Sequence, residues 1–587
     1  MWILACRAAQ TEASRLGRTF AEVFTGAALK APAPSIVQEY FLDRDCEVFA
    51  CGGGGGFNGV TLKALKMMGI TIAAGVPSTD DGGSTGELQV QLRSKRGFVF
   101  GVGDMAGILQ ECLDDKGKQA ILAYRLDQEP SDLAASVLDR ISLELRRPTH
   151  SESFLGAASD FLSFVSAQLN LARIIDRSFR NGQTEPLCVK GASVRNLNLI
   201  AAYELCGSLG EAHSPDAGRM AALYVLFQAL GLDSAPIVLP VSYDDCVLFL
   251  EYAEPVREEW AQQVQIPPDA IEGRRLFGQQ YIDKLPQPGS RRTCGVVASG
   301  RQTGSPPKAN PAYLERLKAA KLFIMGAGSL FGSQLAQLAV PGVIDALLEA
   351  RSMRRLLVIN HVRMDETLGM SLGDHIRVIE AVANDSASPN IVKQIAPVRG
   401  QLRISDLFTD IIVPRTVAKE VEAEMVRREY RWDSSRDHKP EFFEIPPNEG
   451  GGTPVRVLRN RYVDFLLQHP EVQMRLQITH RELEVLSYLD QPSGLYSHRS
   501  EAGRYRGALY ASDQDLQYLL DQGIQPRNIH QVDSIGQNWK LIKSEGSPRF
   551  EFFPGLVPEA LMGIIRIALE RGTEDTIVRD SKLGEDH

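Results

Sequence analysis

"CEVFACGGGGGFNGVTLKALKMMGITIAAGV", residues 46–76, reads as one complete crossover unit. The apolar run "CEVFA" predicts a short strand, the glycines from Gly52 to Gly56 a tight turn, and "VTLKALKMMG" a helix that stops at Gly69. A second strand, "ITIAAGV", follows at once. Two strands separated by one helix pair in parallel through a right-handed crossover. The Met67-Met68 pair is read as packing around that helix.

The same order returns in "AKLFIMGAGSLFGSQLAQLAVPGVIDALLEA", residues 320–350, which runs into the strand-like "RRLLVINHV", residues 354–362. Two such units predict an α/β fold with a doubly wound parallel sheet, whose ligands bind at the carboxyl ends of the strands. Between the two units, "GASVRNLNLIAAYELCGSLGEA" and "AGRMAALYVLFQALGL" predict buried helices, and "APIVLPVS" and "CVLFLEY" predict strands. The stretches "SGRQTGSPPKANP" and "REYRWDSSRDHKPEFFEIPPNEGGGTPVRV" carry turn residues without periodicity. "RGALYASDQDLQYLLDQGI" gives a strand and then a helix with a Ser/Asp start, and "PGLVPEALMGIIRIALERG" an amphipathic helix.

The expected organisation is a leader over residues 1–45, a nucleotide-binding core with insertions over 46–400, and an inserted or linker region over 401–500. A strand-helix part over 501–575 completes the core, and a charged, disordered tail closes the chain at 576–587. Glu12 and Glu22 count against reading the leader as a transit peptide.

At 587 residues, 44% hydrophobic and 23% charged, the chain is long enough to bury a substantial core. A net charge of −9 and a pI near 5.7 disfavour sequence-independent binding to nucleic acid or to an anionic membrane. No apolar run approaches the ~20 residues that span a bilayer. The eight cysteines include no C-x-x-C pair, so they read as small buried hydrophobes in a reducing, cytoplasmic setting.

A glycine turn between strand and helix brings backbone N–H groups close to an anion and aims the helix dipole at it. Gly54, Gly56 and Gly59 fit the dinucleotide spacing G-x-G-x-x-G. A nicotinamide dehydrogenase, however, would end its second strand in a lone acid, whereas here "STDDGGSTGEL", residues 78–88, places Asp80 and Asp81 among glycines and hydroxyls. These carboxylates suit a divalent cation such as Mg²⁺ bridging phosphates, with a surface Asx turn as the plain alternative. Asp104 in "GVGDMAG" is either a helix cap or a further acid beside the site. The Lys-Ser or Lys-Thr of a Walker loop does not follow either glycine run. His361 and His375 read as packed or solvated histidines, and Arg363 as either a phosphate partner or a surface arginine.

Six motifs in fixed order carry a resemblance: "GGGGGFNGVTLKALK", "STDDGGSTGEL", "GVGDMAG", "GASVRNLNLIAA", "IMGAGSLFGSQLAQLAVPGVIDAL" and "INHVRMDETLGMSLGDHI". Together they resemble the family of 2-phospho-L-lactate transferases and bacterial gluconeogenesis factors of the YvcK-like kind. The resemblance implies a Rossmann-like sheet. In one branch it implies a metal-dependent transfer from a guanylyl-activated phospholactate to a deazaflavin alcohol. In the other it implies binding of a nucleotide sugar such as UDP-N-acetylglucosamine, with a regulatory role in carbon use and cell shape. "DDGGSTG" followed by "GD" resembles the second branch more closely.

The resemblance further implies Gly53, Gly54, Gly55, Gly56 and Asn58 at a phosphate or nucleotide, and Asp80 and Asp81 at metal or substrate. Asp104 would join them as the third catalytic acid. Ser193 and Asn196 would lie beside the ligand, Gly326, Gly328 and Ser329 at phosphates, and Asn360, Glu366 and Thr367 near base or sugar. Departures occur at Gly101, Val102 and Gly107, and Ala327 replaces the usual proline. The expected partner is a small nucleotide ligand, with no nucleic acid and no membrane; a homodimer is left open. A protein nucleophile is unnecessary for phosphoryl or nucleotidyl transfer, and no Ser-His-Asp or Cys-His arrangement is legible.

Overall fold

Strand β1 (Val48–Cys51) pairs in parallel with β2 (Ile72–Val76), as the quoted stretch requires. The computed structural model describes residues 41, 46–54, 57–79, 88, 91–92, 103–145, 158–181, 186–212, 215–232, 237–244, 246–252, 254–256, 261–262, 265–282, 291–298, 305–360, 365–367, 370–414, 416–417, 442–445, 455–458, 511–532, 540–544, 547–551 and 558–583. By contacts the chain divides into two units, one holding residues 109–235 and the other holding residues 45–89, 96–108 and 236–587, together with shorter pieces.

The second unit is built on the predicted doubly wound sheet. The other strands of its two larger sheets, in chain order, are β3 (Ile237–Pro240), β4 (Cys246–Tyr252), β5 (Ile271–Glu272), β6 (Arg275–Phe277), β7 (Arg291–Ala298), β8 (Leu322–Met325), β9 (Arg354–Val358), β10 (Asp410–Pro414) and β11 (Ile529–Val532). The seven-stranded sheet runs β11-β10-β9-β8-β1-β2-β3, with every pair parallel. The chain builds outward from β1 through β2 to β3, then returns to the other side of β1 with β8. That reversal between β1 and β8 is the topological switch point, where open α/β sheets place their ligands.

β1, β2, β3, β8 and β10 are buried at every residue, the pattern of a parallel sheet covered on both faces. Phe49 is edge-on to Tyr313 at 4.8 Å between centroids and stacked with Phe323 at 6.3 Å, which in turn stacks on Phe408. A smaller antiparallel sheet, β5-β6-β4-β7, belongs to the same unit, so "CVLFLEY" leaves the main sheet. Its side chains alternate between buried and half-buried, as one covered face demands.

The other unit is helical. Leu133–Leu145, Ala158–Ile175, Val194–Ala212 and Pro215–Leu230 are its longest helices among the described residues, and the last two match the predicted pair. Asp176 ties it internally, accepting from Leu133 N at 3.0 Å and from Arg180 at 2.5 Å.

Four local readings change. Met67 is 50% exposed, because the first helix turns that side to solvent. Among the described residues six cysteines are buried, but Cys188 is exposed beside Glu129. The turn-rich stretch after Arg428 contains an antiparallel pair, Phe442–Ile445 with Val455–Leu458. The last helix, Pro558–Leu583, continues through Gly572 into the segment expected to be disordered, where no proline stops it.

Candidate functional site

Both glycine turns leave adjacent strands at the switch point, and each keeps the sheet ladder for one residue beyond its strand. Gly52 N donates to Gly75 O at 3.2 Å, and Gly326 N donates to Cys51 O at 2.8 Å. Both turns then enter a π-helical turn, Phe57–Leu62 after β1 and Leu330–Leu335 after β8. In the second, Gln334 N reaches back to Ser329 O at 3.0 Å. Such wide turns recur at functional sites, since they open the helix start toward a ligand.

The glycines are required by space. A Cβ on Gly53 would collide with the Asp104 carboxylate and lie 2.9 Å from Ser333 Oγ. One on Gly326 would lie 2.7 Å from the Phe57 ring and 2.8 Å from Thr61 Oγ1. Gly328 has φ +152°, and its Cβ would stand 3.0 Å from Gly53 O, so the two turns approach each other closely at this glycine. Gly54 is left-handed at φ +68°.

Asp104 lies in the first turn of the helix Gly103–Cys112, and its carboxylate is brought against Gly53. Asn360, just beyond β9, holds Gly328 at both ends: Gly328 N donates to Asn360 Oδ1 at 2.9 Å, and Asn360 Nδ2 donates to Gly328 O. Glu366 accepts from Ser329 Oγ at 2.6 Å, from Leu330 N at 2.5 Å and from Gly332 N at 3.4 Å. Thr367 is buried beside it on the short turn Asp365–Thr367.

Gly53, Gly54, Asn58, Asp104, Gly326, Gly328, Ser329, Asn360, Glu366 and Thr367 therefore all belong to the sheet unit, around the turns that leave β1, β8 and β9. Ser193 and Asn196 belong to the helical unit, at the start of Val194–Ala212, where Asn196 N donates to Ser193 Oγ at 3.4 Å. Asp80, Asp81, Gly55, Gly56, His361 and Arg363 lie outside the described residues. His375 is packed, with 1% exposure and Nδ1 at 2.8 Å from Ser371 O. Cys51 ends β1 just ahead of the glycines, but complete burial pushes its thiol far above the usual range, so it supplies no thiolate there.

Several polar residues at this end were not singled out from the sequence. Ser333, Gln334 and Gln337 are buried on the helix after β8, and their signal was available as polar letters in an otherwise apolar, buried helix. Gln337 accepts from Tyr313 OH at 3.0 Å, and Gln334 Nε2 donates to Gly326 O. Gln279 opens the short helix Gln279–Ile282 that follows β6, with Nε2 2.6 Å from where a Gly332 Cβ would be. No local pattern announces it. At the neighbouring strand ends, Ser78 Oγ donates to Ser242 O at 2.5 Å, and Ser78 and Thr79 are both 2% exposed. Among the described residues, Asn58 Oδ1, Thr61 Oγ1, Thr79 Oγ1 and Gln279 Oε1 are buried without a hydrogen-bond partner.

Residues 48–445 match the model of the 2-phospho-L-lactate transferase CofD family. A protein of Nostoc sp. named "Putative gluconeogenesis factor" is 25% identical over 344 residues, covering 59% of this chain and 54% of its own. The chain thus spans about half of that relative's length. A Thermotoga maritima protein of the same name is 24% identical, over 60% of this chain and 80% of its own. An uncharacterized Saccharomyces cerevisiae protein is 22% identical, over 62% of this chain and 89% of its own. Among solved structures, a upf0052 family protein from Bacillus halodurans aligns with a TM-score of 0.40 at 16% identity, over 89% of this chain and 99% of that one.

Proposed function

The chain belongs to the 2-phospho-L-lactate transferase CofD family, and from that premise we propose that it binds a nucleotide or nucleotide sugar of the UDP-sugar type at the β1–β8 switch point. The observation that carries this reading is the close approach of the two glycine turns, where a Cβ on Gly328 would stand 3.0 Å from Gly53 O. A side chain at Gly53 would have to displace Asp104 and one at Gly326 the Phe57 ring, and the Gly328 conformation disfavours one. A fold keeps such turns bare where a phosphate must approach main-chain N–H groups. In this reading the protein serves a regulatory role in carbon metabolism or cell shape, as resemblance to the gluconeogenesis-factor branch suggests.

A second reading, metal-dependent transfer of a phosphorus-containing group, is favoured by Asp104, whose carboxylate abuts the first turn. Asp80 and Asp81 would join it as ligands of Mg²⁺ or another divalent cation, neutralising phosphate charge. The residues whose positions are described fit that role at Asp104, an oxygen donor beside a phosphate-type turn. When bound, the cation would supply charge neutralisation at the phosphates; this chain's own part is to orient them with backbone N–H groups.

The test is the thermal midpoint of the purified protein with UDP-N-acetylglucosamine, GDP and NAD, each with and without Mg²⁺. A midpoint raised by the UDP-sugar regardless of Mg²⁺ is the expected result. A shift with GDP only in the presence of Mg²⁺ would replace it with the transferase reading, and a shift with NAD alone would replace both.

A further inference from the structure

We propose that Glu366 is an internal competitor for the ligand's anionic group, and so determines which anions the site accepts. The inference rests on the switch-point reading above and concerns the same turn. Two donors converge closely on this carboxylate, Ser329 Oγ at 2.6 Å and Leu330 N at 2.5 Å, and Gly332 N, whose shorter bond is to Ser329 Oγ at 2.8 Å, lies 3.4 Å from it. Those are the groups that a Ser-containing glycine turn at a helix start offers to a phosphate. Glu366 is only 4% exposed, and both of its oxygens are engaged, so it fills the place of an anion with a charge of its own.

The segment that carries Glu366 also carries Asn360, which fixes Gly328 against the first glycine turn. One loop therefore both shapes the turn and occupies its donors. A second, independent feature points to a ligand here. Thr61 is fully buried, its Oγ1 has no partner, and it stands 2.8 Å from the Cβ position of Gly326 in the same turn. On the other side, Gln279 lies against Gly332 with its Oε1 buried and unpartnered. Buried polar groups without partners are costly, and a ligand that reaches them recovers that cost.

Exchange of one anion for another conserves the arrangement. When a phosphate takes the Ser329 Oγ and Leu330 N donors, the Glu366 carboxylate moves aside, and neither of those two donors is left unmet. A phosphate or diphosphate group that brings two negative charges and more acceptor oxygens competes better than a carboxylate, whereas a neutral ligand does not displace it. Glu366 is thus a specificity residue that raises the threshold for entry.

The experiment uses the full chain as wild type, Glu366→Gln, Glu366→Ala and Gly328→Val, titrated calorimetrically with inorganic phosphate and with UDP-N-acetylglucosamine. Thermal midpoints without ligand confirm that each variant is folded. Glu366→Gln keeps the shape but gives up one acceptor and the charge, so at least one probe should bind it about tenfold more tightly, the equivalent of about 1.4 kcal/mol. Glu366→Ala should gain at least as much. Equal or weaker binding by both variants, with wild-type binding still abolished by Gly328→Val, overturns the competitor role while leaving the site in place. Binding that survives Gly328→Val overturns the site itself, and silence from every protein with both probes overturns the two together.

Discussion

Gly328 concentrates the chemistry of the site in one residue. Its φ of +152° and the 3.0 Å gap between its Cβ position and Gly53 O disfavour any side chain. Asn360 holds both its N–H and its carbonyl. Asn360→Ala should therefore loosen the turn and cost about 1–3 kcal/mol of stability, read from chemical denaturation, because buried backbone groups lose their partners. A variant as stable as wild type would show that the clamp is dispensable. Thiol chemistry gives a second residue-scale prediction. Burial pushes the Cys46 thiol up to about 11 and those of Cys51 and Cys294 higher still. Among the described cysteines, a thiol reagent should label Cys188 first and the others only on unfolding; rapid native labelling of Cys51 would contradict the packing described for β1. The glycine turns were legible in the sequence because glycine spacing is local, whereas Asn360 and Glu366 were reached only through the family resemblance. That Glu366 faces the Ser329 turn was not legible, because the contact joins loops 37 residues apart.

At the scale of elements, two helices are tied by one carboxylate. Asp515 accepts from Ser512 N and Oγ at its own helix start, and from Gly373 N at the start of the helix Leu372–Ser386. Asp515→Ala should cost about 1–2 kcal/mol, the value of a lost cap, measured by denaturant midpoint; a change near zero would mean that the link carries no stability. At the amino ends of β9, β10 and β11, Asp410 is 0% exposed and contacts Arg354 at 2.7 Å, Thr409 at 2.8 Å and His530 at 3.2 Å. Burial would raise its carboxyl, but the His530 and Thr409 hydrogen bonds and the Arg354 charge outweigh that and hold it below the usual carboxylate range. A depressed folded value adds stability above the unfolded value of about 3.9, and that stability is lost as pH falls through the folded value. The acid limb of stability should thus be shallower in Asp410→Asn, and an unchanged limb would remove Asp410 from the account. The Ser512 start was readable as a Ser/Asp cap. The Asp410 cluster was not, since its members come from three strands distant in sequence.

Across the whole molecule, the strand order was legible in its centre and not at its margins. Glycine turns after apolar runs marked β1 and β8 and so located the switch point. The smaller antiparallel sheet was hidden because "CVLFLEY" has the same apolar letters as a main-sheet strand, and only its partners in β6 and β7 assign it. The central claim is that a nucleotide's phosphates dock between the turns after β1 and β8. Hydrogen exchange of the full protein with saturating UDP-N-acetylglucosamine tests this most directly. The account predicts slowed exchange concentrated in peptides covering Gly52–Asn58 and Gly326–Leu335. Protection confined to the helical unit at residues 109–235, or protection absent from both turns while the ligand is bound, would contradict it.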